Sequence, residues 1–442
     1  MDTHRLAGRL LSSPRMVLAL CAFGALIAAL TGVALSWDGS AYLFNALDSQ
    51  QPFTPHDRLV NVITQAPTLL AQTFTDRLGV LRLVFGISYL AIPVLALLAC
   101  FLVVRRRREE MFVWPVIAIC AATVPGQINP SSEALQASQM VWPLLLAAIV
   151  GLDRRDGVAW LAVLTTGLFA ALAHPVGVPL LGGVLLVGIL YRRRSVSALA
   201  ALLLVTALVN AWLTADPYQG DRITINVVTY SFDRAIAGAP LVAIASSAAG
   251  AALLAVADRT RHRNLLGAGG VACLALAIAA LVGWASDPRA WDGAIEFRTL
   301  AAVAILPVAL IAVLDGWREP AACSPWRQLA AVTASAGFAL IMAVQGLSVQ
   351  RLDALLANDI RTANSACVPQ ENIPGVNGTM LDSWATPYRS LVLGGRTARE
   401  VVLWGDECRL LTMDGAVPID YWQQGTLDAS GWFDLRGLAG KP

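Results

Sequence analysis

The sequence predicts an all-α polytopic membrane protein of about eleven transmembrane helices with a small mixed α/β domain at its C-terminal end. Three observations predict it. Of 442 residues, 57% are hydrophobic and 14% charged, with mean hydropathy +0.62, whereas soluble domains run nearer a quarter charged. That is too little charge to coat two or three soluble domains, so lipid must solvate much of the surface. Apolar runs recur through residues 1–349, separated by short polar clusters, and basic residues gather in alternate connections. The net charge of +2 carries no signal, and no nucleic-acid partner is expected. Lys441 is the only lysine, so nearly all basic charge is arginine.

The runs are Met16–Trp37, Val80–Val104, Met111–Pro125, Ala137–Leu152, Val158–His174, Pro175–Leu190, Val196–Thr214, Ala239–Ala257, Leu265–Trp284, Thr299–Leu314 and Leu329–Val349. None alternates like a barrel strand, so in lipid their amides are satisfied only as helices. Several fall short of about 20 residues, which implies tilt or partial insertion.

Arginine placement sets the orientation. With the N-terminus inside, the inner connections hold Arg5, Arg9, Arg15, Arg105 to Arg108, Arg154, Arg155, Arg192 to Arg194, Arg259, Arg261, Arg263, Arg318 and Arg327. The outer connections and their edges hold Arg58, Arg77, Arg82, Arg222, Arg234, Arg289 and Arg298. An odd number of crossings then places residues 350–442 outside, in the extracytoplasmic space of a bacterial inner membrane. Arg5, Arg9 and Arg15 followed by an apolar run ending Ala34-Leu35-Ser36 also fit a signal peptide, although the run is long for one.

The inner connections are short, whereas the first outer one, Trp37–Gly79, is long enough to hold helices of its own. Ser40–Leu47 mixes apolar and polar residues like a helix lying at the membrane surface, and Leu59, Val62, Ile63, Ala66, Leu69 and Leu70 form a second such stripe. Gly126–Gln136, Asp216–Gly238 and Asp287–Arg298 complete the outer polar set.

Beyond Val349 the pattern changes. Gln350–Cys367 begins as an amphipathic helix, and Ser390–Leu393, Val401–Trp404 and Arg409–Thr412 read as short strands. Cys367 and Cys408 share this domain in an oxidising compartment, which suits a disulfide. Cys21, Cys100, Cys120, Cys273 and Cys323 lie in or beside spans, as buried thiols do. Asn377-Gly378-Thr379 matches a glycosylation acceptor only as a three-residue pattern.

No phosphate-binding loop, dinucleotide fingerprint, zinc cluster or nucleophile elbow is present, nor the rows of intramembrane charge that ion pumps need. What stands out is Trp37-Asp38-Gly39 at the outer end of the first span. A carboxylate there is costly unless paired or used, although aspartate is also a favoured helix cap. His56-Asp57-Arg58 could grip a phosphate or a cation, or form a surface ion pair. Glu133 is the only acid of its loop, and His174 ends a span beside Pro175. Positive charge is disfavoured outside, so some of Arg222, Arg234, Arg289 and Arg298 are expected to face an anionic group.

A first span, then Trp37-Asp38-Gly39 with Tyr42, then a long outer loop with two helices resembles the GT-C glycosyltransferase superfamily. The nearest flavour is its arabinofuranosyltransferase-like group, which includes enzymes acting on type IV pilin. The resemblance covers residues 16–80, together with the topology and the outer C-terminal domain. It implies sugar transfer from a polyprenyl-phosphate donor to a glycan, lipid or protein acceptor such as pilin, outside the membrane. By position the catalytic acid of the family falls on Asp38. Many members carry two adjacent acids there, whereas glycine follows Asp38, which leaves dependence on a divalent cation open.

In the mechanism this implies, Asp38 takes a proton from the acceptor hydroxyl as it attacks the anomeric carbon. Arg58, Arg222 and Arg298 meet the leaving lipid phosphate, and His56 and Asp57 are candidate cation ligands. Tyr42, Glu133 and His174 complete the expected site. Two rivals belong to other classes. A lipid or solute transporter would show internal repeats and broken, polar-lined helices. An O-antigen-type polymerase or ligase would hold its large loop late in the chain.

Overall fold

The computed structural model describes residues 14–36, 38–121, 131–215, 238–287, 305–317, 324–362, 366–373, 385–397, 400–403, 408, 417–420, 425–427, 431–436 and 438. Helices dominate them. In chain order they are α1 (Pro14–Leu30), α2 (Asp38–Ser49), α3 (Val60–Gln72), α4 (Leu78–Val104), α5 (Val113–Ala121), α6 (Glu133–Met140) and α7 (Trp142–Val150). Then follow α8 (Gly157–Ala173), α9 (Gly177–Leu190), α10 (Arg194–Leu213), α11 (Ala239–Ala257), α12 (Arg263–Ser286), α13 (Leu306–Gly316) and α14 (Pro325–Thr362). Every apolar run of the sequence falls wholly or partly on one of these.

Five stretches are long and apolar enough to cross a membrane: α4, α6 with α7, α10, α12 and α14. Five shorter apolar helices of 10–17 residues accompany them among the described residues. This is the make-up of a helical membrane protein. Burial separates the centre of the bundle from its rim. The stretch Glu133–Val150 is 100% buried, whereas α10 and α12 are each 28% buried and expose Leu202, Val205, Leu208 and Leu276. Such broad apolar faces would drive association in water, and a lipid environment removes that penalty.

Buried ion pairs fasten both ends of α14. At one end Arg327 grips Asp315 with two nitrogens (2.8 and 3.1 Å) and Asp258 with a third (2.7 Å). Arg259 also reaches Asp315 at 2.6 Å, as does the Trp114 indole at 3.2 Å. At the other end Asp353 pairs with Arg389 at 2.6 Å. Arg327 and Asp353 are about 39 Å apart at helical rise, more than the hydrocarbon thickness.

The C-terminal elements gather at that second end. α14 runs without a break through Val349 and Gln350 to Thr362, so the amphipathic segment is the projecting end of the last long helix. Strand β1 (Cys367–Pro369) pairs in parallel with β2 (Val401–Leu403), and β3 (Val417–Asp420) is antiparallel to β4 (Gly425–Leu427). Of the expected strands, Val401–Trp404 contains β2. Ser390–Leu393 is instead part of helix α15 (Thr386–Gly394). Pro387 opens this helix, and Tyr388, Leu391 and Val392 bury a face at helical spacing, a period that four residues could not reveal. Arg409–Thr412 and Asn377-Gly378-Thr379 lie outside the described residues.

Cys367 and Cys408 form a disulfide with Cα atoms 5.6 Å apart. Both should resist alkylation until reduced, and the chain-entropy treatment assigns the bridge about 3–4 kcal/mol. Labelling of both thiols in the native, unreduced protein would overturn this. The orientation has its own test. Reporter fusions after Arg108, Arg194 and Arg263 should report the cytoplasm, and those after Asp57, Gly220 and Gly375 the opposite side. A single reversal among the six would break the alternation.

Candidate functional site

The chain leaves α1 through Gly32, whose φ of 77° is comfortable only for a residue without a side chain, and enters a 3-10 turn at Val33–Leu35. Asp38 then starts α2. Gly39 follows because nothing larger fits: a Cβ there would lie 1.8 Å from the Ala34 carbonyl oxygen. A second acid directly after Asp38 is therefore excluded by the turn itself.

The expectation that Ser40–Leu47 lies on the membrane surface is corrected. Helix α2 is buried along most of its length because the C-terminal elements cover it. Phe44 stacks on Phe433 (4.5 Å between centroids) and tilts against Tyr388 (5.5 Å). Ser40 donates to the Ala385 carbonyl at 3.2 Å, and Asp48 accepts from the Phe433 amide at 3.0 Å. Arg389 adds a clamp from α15, donating to the Leu35 carbonyl at 2.5 Å just before Asp38.

Helix α3 is amphipathic in an inverted sense. Asn61, Thr64, Gln65 and Thr68 are buried, whereas Leu59, Val62, Ile63 and Leu70 face outward. The apolar stripe lies where an interfacial helix would meet lipid, and the polar stripe is turned into the protein. Gln65 pins the preceding loop by exchanging two 2.8 Å hydrogen bonds with the Phe53 backbone.

Beneath these helices Glu133 is the hub. It is the first residue of α6 and 4% exposed, not a loop residue as expected. Its carboxylate accepts from Tyr42 Oη at 3.0 Å, Asn61 Nδ2 at 3.2 Å and Arg58 Nη1 at 2.7 Å. Three separate segments thus converge on a buried carboxylate supplied by a fourth. Burial pushes the Tyr42 phenol well above its usual range, and the negative charges of Glu133 and Asp38 push it further, so it is a neutral donor at physiological pH. Burial alone would lower the Arg58 value, but Glu133, Tyr42 and Asp38 outweigh it and raise the value. The guanidinium therefore stays charged.

Asp38 is partly exposed at the rim of this cluster, and its charge acts on Tyr42, Arg58 and Tyr89. Of His56-Asp57-Arg58, the His56 side chain lies outside the described residues, and Asp57 and Arg58 point apart. Asp57 has φ 56° and is exposed, while Arg58 turns inward to Glu133. The backbone of His56 lies in the 3-10 turn Pro55–Asp57. His174 caps its own turn, Nδ1 accepting from the Val176 amide at 3.1 Å. Arg222 and Arg298 lie outside the described residues. Among the described residues no three His, Cys, Asp or Glu side chains are grouped to hold a metal.

Comparison with protein-family models, curated proteins and solved structures returns no match. The chemistry must be read from the cluster. Glu133 has its lone pairs engaged by three donors, which suits positioning rather than proton transfer. Asp38, at the rim and backed by a fixed cation and a phenol, is the better placed base. Asn61, Tyr89 and Arg389 were not legible as site residues. Asn61 carried a signal, being a polar residue inside the α3 stripe, but Arg389 is more than 350 residues from Leu35 and no local spacing could announce it.

Proposed function

We propose that this chain is a GT-C-type membrane glycosyltransferase that moves a sugar from a polyprenyl-phosphate donor to an extracytoplasmic acceptor with inversion. In this reading it is a bacterial inner-membrane protein with about eleven crossings, its N-terminus cytoplasmic and its C-terminal domain outside. The observation that carries the proposal is the buried Tyr42–Glu133–Arg58 cluster at the end of the first span, with Asp38 at its rim. Two carboxylates far apart in sequence, Asp38 and Glu133, both act on Tyr42 and Arg58, which supports the reading.

The reaction balances without a nucleotide. The acceptor oxygen bonds to the anomeric carbon, the carbon–oxygen bond to phosphate breaks, and the phosphate leaves with the electron pair. Asp38 takes the acceptor proton. Arg58, its charge fixed by Glu133, favours the charge developing on the leaving group. Arabinofuranose as the sugar and pilin as the acceptor are the specific assignments to test. The test is transfer by the purified full chain in nanodiscs from labelled polyprenyl-phosphate sugars, arabinofuranose included, with nucleotide sugars as controls. Transfer from a lipid-linked donor supports the reading, and inactivity with every lipid-linked donor alongside vectorial solute uptake in vesicles would replace it with the transporter.

A further inference from the structure

The turn that carries Asp38 is held from the far end of the chain. Its own backbone bonds run from the Leu35, Ser36 and Gly39 amides to the Gly32, Val33 and Ser36 carbonyls, at 3.0, 3.1 and 3.1 Å. The Leu35 carbonyl, three residues before Asp38, is the acceptor for Arg389 Nη1. Leu35 is 1% exposed, so water could not replace that bond if it were lost. Two residues after Asp38, the Ser40 hydroxyl donates to the Ala385 carbonyl at 3.2 Å. The same carbonyl accepts the Arg389 amide at 3.0 Å, at the opening of α15. One helix end therefore brackets Asp38 on both sides.

Arg389 has little freedom of its own. It is buried, and its Nε is fixed on Asp353 of α14 at 2.6 Å. The neighbouring Ser390 hydroxyl accepts from the Val402 amide at 3.1 Å, which ties α15 to β2. A guanidinium is a rigid planar fork, so two anchored nitrogens fix the distance between α14 and the turn. The turn lacks a comparable restraint at its entrance. Gly32, at φ 77°, has no side chain with which to resist movement.

We propose that Arg389 is a positioning residue for Asp38. Through the Leu35 carbonyl it sets the direction in which the Asp38 carboxylate leaves the turn, so the base is competent only while α15 is docked. The catalytic half of this inference rests on reading Asp38 as the general base; the ordering of the turn by Arg389 does not. A base must lie within hydrogen-bond reach of the proton it takes, and a displacement of about 1 Å costs on the order of 10²-fold in rate. A bond three residues away, at the end of a short turn, acts well within that tolerance.

The experiment measures amide exchange by mass spectrometry and sugar transfer on the full chain in nanodiscs. It compares the wild type, Arg389→Lys and the double variant Arg389→Met, Asp353→Asn, which removes both members of the buried pair together. In the double variant the Leu35, Ser36 and Gly39 amides should exchange roughly tenfold faster, with α8 unchanged. Its kcat should fall by about ten- to a hundredfold while KM for the lipid-linked donor moves less than about threefold. Arg389→Lys should show both effects at a smaller size, because an ammonium holds one anchor at a time. Arg436→Gln, which breaks an exposed pair with Asp434 in the same C-terminal elements, should alter neither. Unchanged exchange at the three amides of the double variant overturns the proposal, as does faster exchange with kcat retained. If the double variant unfolds, seen as faster exchange in α8 too, Arg389→Lys decides alone, and wild-type exchange with wild-type kcat overturns it. A wild type that transfers no sugar overturns the base assignment, whereas exchange at the turn still decides whether Arg389 holds it.

Discussion

Asp38→Asn is expected to lower sugar transfer by a factor of roughly 10² to 10⁴ while leaving the melting temperature unchanged. The amide keeps the size of the carboxylate at the start of α2, where asparagine is about as well accepted as aspartate. It cannot take the acceptor's proton. Catalytic and structural roles therefore separate in one variant, provided transfer from a polyprenyl-phosphate donor and unfolding in detergent are measured on the same preparation. Retained transfer would remove Asp38 from the mechanism. A fall in melting temperature of several degrees would mean that the turn at Val33–Leu35 depends on the charge.

Glu133→Gln has the larger expected effect on stability. The Arg58–Glu133 pair is nearly enclosed, with side-chain exposures of 12% and 5%. Removing one partner of a buried pair leaves the other charge uncompensated, typically destabilising by about 3–5 kcal/mol. Asp38 lies near enough to act on Arg58, which places the expectation at the lower end of that range. The double variant Arg58→Met, Glu133→Gln should recover most of the loss, because a neutral side chain tolerates the same surroundings. Denaturant unfolding of the four proteins of this cycle checks it. A Glu133→Gln loss below about 1 kcal/mol would show the pair to be solvated like a surface bridge.

The sequence was most readable where a single period repeats over many residues. The helical runs, the outward stripe of α3 and the pairing of Cys367 with Cys408 all follow from local pattern or compartment. Reading failed where a partner distant in sequence decides the environment. Helix α2 looks interfacial because Asn45 and Asp48 punctuate it, yet Phe433 and Tyr388 arrive from the far end of the chain to cover it. Glu133 looked like a loop acid because Gly126–Gln136 reads as a polar outer connection, whereas α6 opens at Glu133 itself. Arg58 was legible as a candidate, but its engagement with Glu133, 75 positions away, was not. The pattern of an element is local, and the use to which its polar face is put is not.

The ionic knot at the far end of α14 bears on how the chain is made. Asp258 and Arg259 follow α11, Asp315 ends α13, and Arg327 opens α14, so they leave the ribosome in that order. Without Arg327, Asp315 keeps Arg259 and the Trp114 indole, whereas Asp258 loses the arginine it pairs with here. Arg327 is the last of these side chains to be made, and its arrival completes the pairing of residues from three helix ends.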